Sequence, residues 1–139
     1  MEWHIKCGPS EISRYIFCPG DQQRAKKIAD QFDASHLVTE SRGYTVYSGE
    51  YKGVFMTVCG TGMGGPAVAI GLEELAHMGG DTFIRVESCG VFQGGQKPGR
   101  RCDRSQRDRA GWRHRQCLFA ARLPGGANLF CFTFPGGSE

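Results

Sequence analysis

Several signatures that would assign this chain to a class are missing. It has no apolar run near 18 residues, so nothing is expected to span a membrane as a helix. The first residues, Met-Glu-Trp-His, carry no basic segment followed by an apolar one, so no secretory signal is expected and the cytoplasm is the default location. The seven cysteines, at 7, 18, 59, 89, 102, 117 and 131, include no C-x-x-C pair, and their number is odd. That spacing speaks against a zinc ribbon, a redox dithiol and a closed set of disulfides. It leaves reduced cysteines acting as small hydrophobes, which suits Cys18 and Cys59 at the ends of apolar runs. No lysine follows Lys97.

What is present suits one domain. The chain has 139 residues, 40% of them hydrophobic and 22% charged, enough for one packed core and not two. Charge divides it. Residues 1–99 hold nine Lys/Arg and eleven Asp/Glu, a net of −2, whereas residues 100–139 hold eight Arg and three acids, a net of +5. Seven of those arginines fall between Arg100 and Arg115. A basic arm normally suggests nucleic acid, but that reading calls for lysines and stacking aromatics too, and only Trp112 lies within the cluster. No nucleic-acid partner is expected.

Punctuation and periodicity divide residues 1–99 into elements. Arg14-Tyr-Ile-Phe-Cys18 is β-prone and ends at Pro19-Gly20, which predicts a strand and a turn. Asp21 can cap a helix running to about Phe32, with Ala25, Ile28, Ala29 and Phe32 on one apolar stripe. Tyr44–Tyr51 and Val54–Cys59, joined by Lys52-Gly53, form a hairpin pattern. Gly60-Thr-Gly-Met-Gly-Gly65 interrupts the second of these strands, and Pro66 opens a helix whose Val68, Leu72, Leu75 and Ala76 form the apolar face up to Gly79-Gly80. Thr82–Val86 is a further strand. The order is that of an α/β chain, in which ligands bind beyond the carboxyl ends of the strands. Three glycine-bearing loops, at 19–24, 60–65 and 87–90, are therefore the expected walls of one site.

Those loops suit an anion. Gly20 and Asp21 begin a helix, whose first N–H groups favour phosphate. Arg24 lies one turn inside it. Gly62, Gly64 and Gly65 allow backbone to approach a ligand closely. Arg85, in an apolar strand, needs an anionic partner, and its fork suits phosphate. Ser88 adds a hydroxyl. The plainer alternative is that Arg24 is a solvated helix residue and Arg85 pairs with Glu87 or Asp81.

Taken together, these segments resemble the nucleoside phosphorylase family of the uridine/purine phosphorylase type. Pro19-Gly20-Asp21-x-x-Arg24 is similar to its phosphate loop. Glu40-Ser-Arg42-Gly-Tyr-Thr-Val-Tyr47 is similar to the segment that lends an arginine to a neighbouring subunit's phosphate site. Thr61-Gly-Met-Gly-Gly-Pro66 with Glu73-Glu-Leu75 resembles its central loop and helix, and Phe83-Ile-Arg85-Val-Glu-Ser88-Cys-Gly90 its second phosphate arginine and hydroxyl. His4 stands where the family has a histidine that reaches the ribose 5′-hydroxyl of an adjacent subunit. The motifs keep family order from His4 to Gly99.

The resemblance implies a mixed sheet flanked by helices, broken off after about residue 99. It implies a dimer-based oligomer and reversible phosphorolysis of a nucleoside to free base and ribose 1-phosphate. Inorganic phosphate is then the co-substrate, with no cofactor and no metal. Gly20, Arg24, Arg42, Arg85 and Ser88 would bind phosphate, Arg24 and Arg85 being catalytic, and His4 would bind ribose. One position departs from the family pattern: Glu87 stands where the family usually has a small residue, and its carboxylate repels phosphate unless it pairs with Arg85 or turns away. The family's later half supplies the base pocket and an acid that holds the ribose hydroxyls. Neither is recognisable here, so weak stability and little or no phosphorolysis are expected.

Two further expectations concern the rest of the pattern. Gly60-x-Gly62-x-x-Gly65 follows a strand and opens a helix, and Glu87 closes the next strand, 22 residues after Gly65. That is also the pattern of an NAD-binding unit, although strands precede it where it would normally come first, and it leaves Arg24 and Arg42 unused. A phosphate- or nucleoside-binding module without catalysis is a third reading. Residues 100–139 form an Arg/Gly-rich tail with no periodic face, expected to be disordered. With suitable codons, Gly99–Arg109 read one base along spells Gly-Asp-Val-Val-Ile-Ala-Ala-Asn-Gly-Thr-Gly, and the family continues with its first five residues. The tail is therefore expected to be an out-of-frame reading.

Overall fold

A computed structural model of the chain describes residues 1–89 and 128–135. Its elements are β1 (Tyr15–Pro19), α1 (Gln22–Ala29), β2 (Ala34–Ser41), β3 (Tyr44–Tyr51), β4 (Val54–Gly60), α2 (Gly65–His77), β5 (Thr82–Cys89) and β6 (Asn128–Pro135), after a 3-10 turn at Pro9–Glu11. They form one mixed α/β sheet with two helices, as the strand–helix alternation predicts.

The local chemistry explains the boundaries. Asp21 caps α1 as expected, its carboxylate accepting from Gln23 N at 3.1 Å and Arg24 N at 3.2 Å. The helix ends at Ala29, short of the expected Phe32. Gln31 N and Phe32 N bond the carbonyls of Ile28 and Ala29, a tighter i→i−3 pattern, before Asp33 N joins Glu50 O and the chain turns into β2. β2 is an edge strand that the sequence did not announce. Ala34–Leu37 are all exposed, so no alternation marks it. Both hairpins turn through two residues with positive φ, Arg42 (49°) and Gly43 (85°) in one, Lys52 (51°) and Gly53 (77°) in the other. That pair of dihedrals matches the right-handed twist of the flanking strands. In α2, Pro66 lies in the first turn, and the helix stops at Met78, followed by Gly79 at φ 106°.

The strand order is β2-β3-β4-β1-β5-β6. β2, β3 and β4 pair antiparallel, whereas β4–β1, β1–β5 and β5–β6 pair parallel. The carboxyl ends of β1, β4 and β5 therefore lie side by side at one end of the sheet. One face carries Ile16, Cys18, Val46, Cys59 and Phe83, packed with Leu72, Leu75 and Met78 from the α2 region and with Ile5, Cys7 and Ile12 from the amino-terminal segment. Because side chains alternate, Val58 and Gly60 face the other way. There a Cβ on Gly60 would lie 3.4 Å from Ala25 Cβ, so α1 covers that second face. Burying these apolar residues is the main favourable contribution to folding.

β6 lies in the segment for which the sequence offers no packed role. Its Phe130, Phe132 and Phe134 are residues that favour strands, and it extends the parallel side of the sheet from Thr82↔Asn128 to Cys89↔Pro135. The arginine cluster from Arg100 to Arg115, Trp112 and the proposed frame change after Gly99 lie outside the described residues. Among the described residues, no helix is long and apolar enough to cross a membrane.

Candidate functional site

At the carboxyl end of β1 the chain turns at Pro19-Gly20 into α1, flanked by the ends of β4 and β5. The glycine loop after β4 leans on that turn: Thr61 N donates to Pro19 O at 2.9 Å, and Thr61 Oγ1 lies 3.3 Å from the same carbonyl. Gly62 (φ 72°) and Gly64 (φ 100°) carry the loop into α2. The third expected loop is not one, because Glu87 and Ser88 belong to β5. Along β5 the alternation that sends Phe83 into the core also places Arg85 and Glu87 on the same side.

Arg85 is anchored from behind. Its Nη1 donates to Thr61 Oγ1 at 2.7 Å and to Cys18 O at 3.3 Å. Thr61, itself buried, donates its hydroxyl hydrogen bond to Pro19 O, so the guanidinium is tied through it to the backbone of β1. Arg85 Nη2 then meets Glu87 Oε1 at 2.5 Å. Gly20 N donates to the same oxygen at 2.6 Å. Arg24, from the first turn of α1, places Nη1 2.8 Å from Glu87 Oε2 and 3.5 Å from Val86 O. Two guanidinium groups and one backbone amide thus converge on a single carboxylate, and all three side chains are partly buried. Such charge-assisted bonds are the strong ones. The cluster can therefore hold an oxyanion.

Arg24, Arg85 and Gly20 are thus brought together. The plainer alternative for Arg85, a Glu87 partner, is also what the geometry contains, and the same carboxylate serves Arg24. Asp81 instead pairs with Arg14. Arg42 sits exposed at the tip of the β2–β3 turn. The adjacent Gly43 O accepts from Gln22 Nε2 at 2.5 Å, so this turn rims the start of α1. Ser88 lies in β5, and its side chain is outside the described residues. His4 is placed against α2, with its Nδ1 2.6 Å from Glu74 Oε1.

Two residues that sequence reasoning did not single out matter. Thr61 orients Arg85; its only sequence signal is a hydroxyl at the strand-to-glycine-loop junction. Glu74 organises the amino-terminal segment, accepting from His4 N at 3.0 Å and Ile5 N at 2.9 Å as well as from the His4 ring. Burial pushes the Glu74 carboxyl up, but these amides and the imidazole outweigh it and hold it below the ordinary value of 4.5. The thiol of Cys18, beneath the cluster, is driven up to about 12 by burial despite the nearby Arg85, so it packs as an apolar group and does not act as a nucleophile.

The dinucleotide reading is not favoured. It needs Glu87 to accept from a ribose hydroxyl, but that carboxylate is already committed to Arg24, Arg85 and Gly20. It also needs the strand after the helix to lie beside β4, whereas β1 separates β4 from β5. Among the described residues, two surface grooves lie elsewhere, lined by Tyr15, Val54 and their neighbours at the amino ends of β1 and β4, and they gather no comparable set of charges.

Comparison with known proteins bears on the arginine cluster. Residues 14–101 match the Phosphorylase superfamily. The chain is 46% identical over 95 residues to a uridine phosphorylase of Thermococcus kodakarensis, covering 68% of this chain and 34% of that protein. It is 42% identical over 96 residues to a DeoD-type purine nucleoside phosphorylase of Mycoplasma pneumoniae, covering 68% of this chain and 40% of that one. Among solved structures, uridine phosphorylase from Vibrio fischeri superposes with a TM-score of 0.68 at 36% identity, over 70% of this chain and 41% of that chain. The chain spans about two fifths or less of the length of these relatives.

Proposed function

The chain belongs to the Phosphorylase superfamily, and from that premise we propose that it carries the phosphate-handling part of a nucleoside phosphorylase. In the proposed reaction an inorganic phosphate oxygen forms a bond to C1′ of the nucleoside while the N-glycosidic bond breaks and its electron pair leaves with the base. Positive charge develops on the ribosyl ring, as in glycoside hydrolysis, so catalysis rests on holding the phosphate in line and balancing its charge. Arg24, Arg85 and the Gly20 N–H take that role, and Ser88 serves as a further phosphate ligand. Arg42 serves the phosphate site, and His4 the ribose 5′-hydroxyl, of an adjacent subunit in a dimer-based oligomer. Phosphate is a co-substrate and the protein works in the cytoplasm.

The observation that carries this reading is the convergence of Arg24, Arg85 and Gly20 N on one carboxylate at the carboxyl ends of parallel strands. A hybrid tests it. Residues 1–89, carrying Glu87→Gly, replace the aligned stretch of the Thermococcus kodakarensis uridine phosphorylase, and release of uracil from uridine is followed with and without phosphate. Phosphate-dependent release that falls by about two orders of magnitude on Arg24→Ala or Arg85→Ala is the expected result. A folded hybrid whose cleavage ignores phosphate, or ignores both arginines, overturns the assignment.

A further inference from the structure

Glu87 occupies the place where the site's ligand belongs. Its two oxygens collect three donors of the cluster: Gly20 N and Arg85 Nη2 on Oε1, and Arg24 Nη1 on Oε2. The cradle also has supports of its own. Arg85 is fixed by Thr61 and Cys18 O, Arg24 reaches Val86 O, and the Gly20 turn is fixed by the capping of α1 and the bond from Thr61 N to Pro19 O. Gly20 keeps room for the anion: a Cβ there would overlap Glu87 Oε1 and come within 3.0 Å of Arg85 Nη2 and 3.2 Å of Gly62 O. The donors that meet Glu87 are two guanidinium groups and a backbone amide, the kinds of group that also bind phosphate.

We propose that Glu87 is a tethered anion that fills the oxyanion subsite of its own chain, so that this subsite accepts external phosphate only when the carboxylate is displaced. The inference rests on the phosphorylase reading above and specifies how the same site is controlled. A carboxylate attached to β5 competes as an intramolecular ligand, at an effective concentration of about millimolar or more. A subsite left open about a tenth of the time binds its external ligand about tenfold more weakly.

The test compares the full chain with its Glu87→Gly and Glu87→Ala variants. The alanine keeps a strand-compatible side chain should glycine weaken β5. Thermal melts and ³¹P line widths are recorded with inorganic phosphate, and melts are repeated with sulfate. The parent is expected to show neither a shift nor broadening at about 1 mM phosphate, while either variant binds about tenfold or more tightly and loses that gain when Arg24→Ala is added. A parent that binds phosphate as tightly as its variants overturns the tethered-anion proposal and leaves the phosphate-site reading standing. Folded variants that bind neither phosphate nor sulfate overturn both. A gain that survives Arg24→Ala places the new anion elsewhere and also overturns the proposal.

Discussion

Replacing Glu74 by alanine should loosen the amino-terminal segment from α2, and the size of the effect follows from the bonds it makes. Glu74 is only 8% exposed and accepts from His4 N, Ile5 N and the His4 ring, all from a segment some 70 positions away in sequence. Ile5 is fully buried in the core, so its amide has no water to turn to. Each buried donor left without a partner costs about 1–3 kcal/mol, and the two amides together about 2–6 kcal/mol. Against a total stability of about 5–15 kcal/mol that is a large fraction. With a urea slope of about 1.5 kcal/mol per molar, a loss near 3 kcal/mol moves the unfolding midpoint down by about 2 M. Urea titration followed by circular dichroism reads this directly, and exchange of the Ile5 amide should accelerate. Glu74→Gln, which keeps one acceptor oxygen, should lose less. The pH dependence has a definite sign. Because the folded carboxyl is held below its ordinary value, its contribution is fully present above the unfolded value near 4.5 and is lost as pH falls through the lower, folded one. The gap between parent and Glu74→Gln should therefore close in acid. Equal stability of parent and Glu74→Ala, or a gap that widens below pH 4.5, would refute the reasoning.

Other consequences are local. Asp21→Ala removes the cap on Gln23 N and Arg24 N and should cost about 1 kcal/mol, seen as a lower thermal midpoint, and should loosen Arg24 as well. Cys7 and Cys18, raised by burial to about 11 and about 12, and Cys59, raised by the same cause, should resist alkylation at pH 8 in the folded chain. Peptide mapping by mass spectrometry should find all three modified only after urea is added, and rapid labelling of Cys18 without urea would contradict the packing described.

Much of the fold was legible because glycine, proline and apolar period mark it. Pro19-Gly20, Lys52-Gly53 and Gly79 fall at turns, and Leu72 and Leu75 face the core as their spacing requires. β2 escaped because an exposed edge strand carries no alternation to read. The arginines were legible for a physical reason: a charge in an apolar strand, or one turn into a helix that starts at a glycine, needs a partner. Glu87 was visible as an oddity, yet only the fold shows that one carboxylate serves Arg24, Arg85 and Gly20 together. Thr61 and Glu74 were hidden because their partners are fixed by tertiary approach across 24 and about 70 residues, which no local pattern encodes.

The central claim is that three donors, from the turn after β1, from α1 and from β5, make one oxyanion site. A crystal structure of Glu87→Gly grown with sulfate tests it most directly. The account predicts a sulfate within hydrogen-bonding distance of Gly20 N and of the guanidinium groups of Arg24 and Arg85, with Arg85 still on Thr61. Guanidinium groups that part into separate surroundings, with no anion between them, would contradict it.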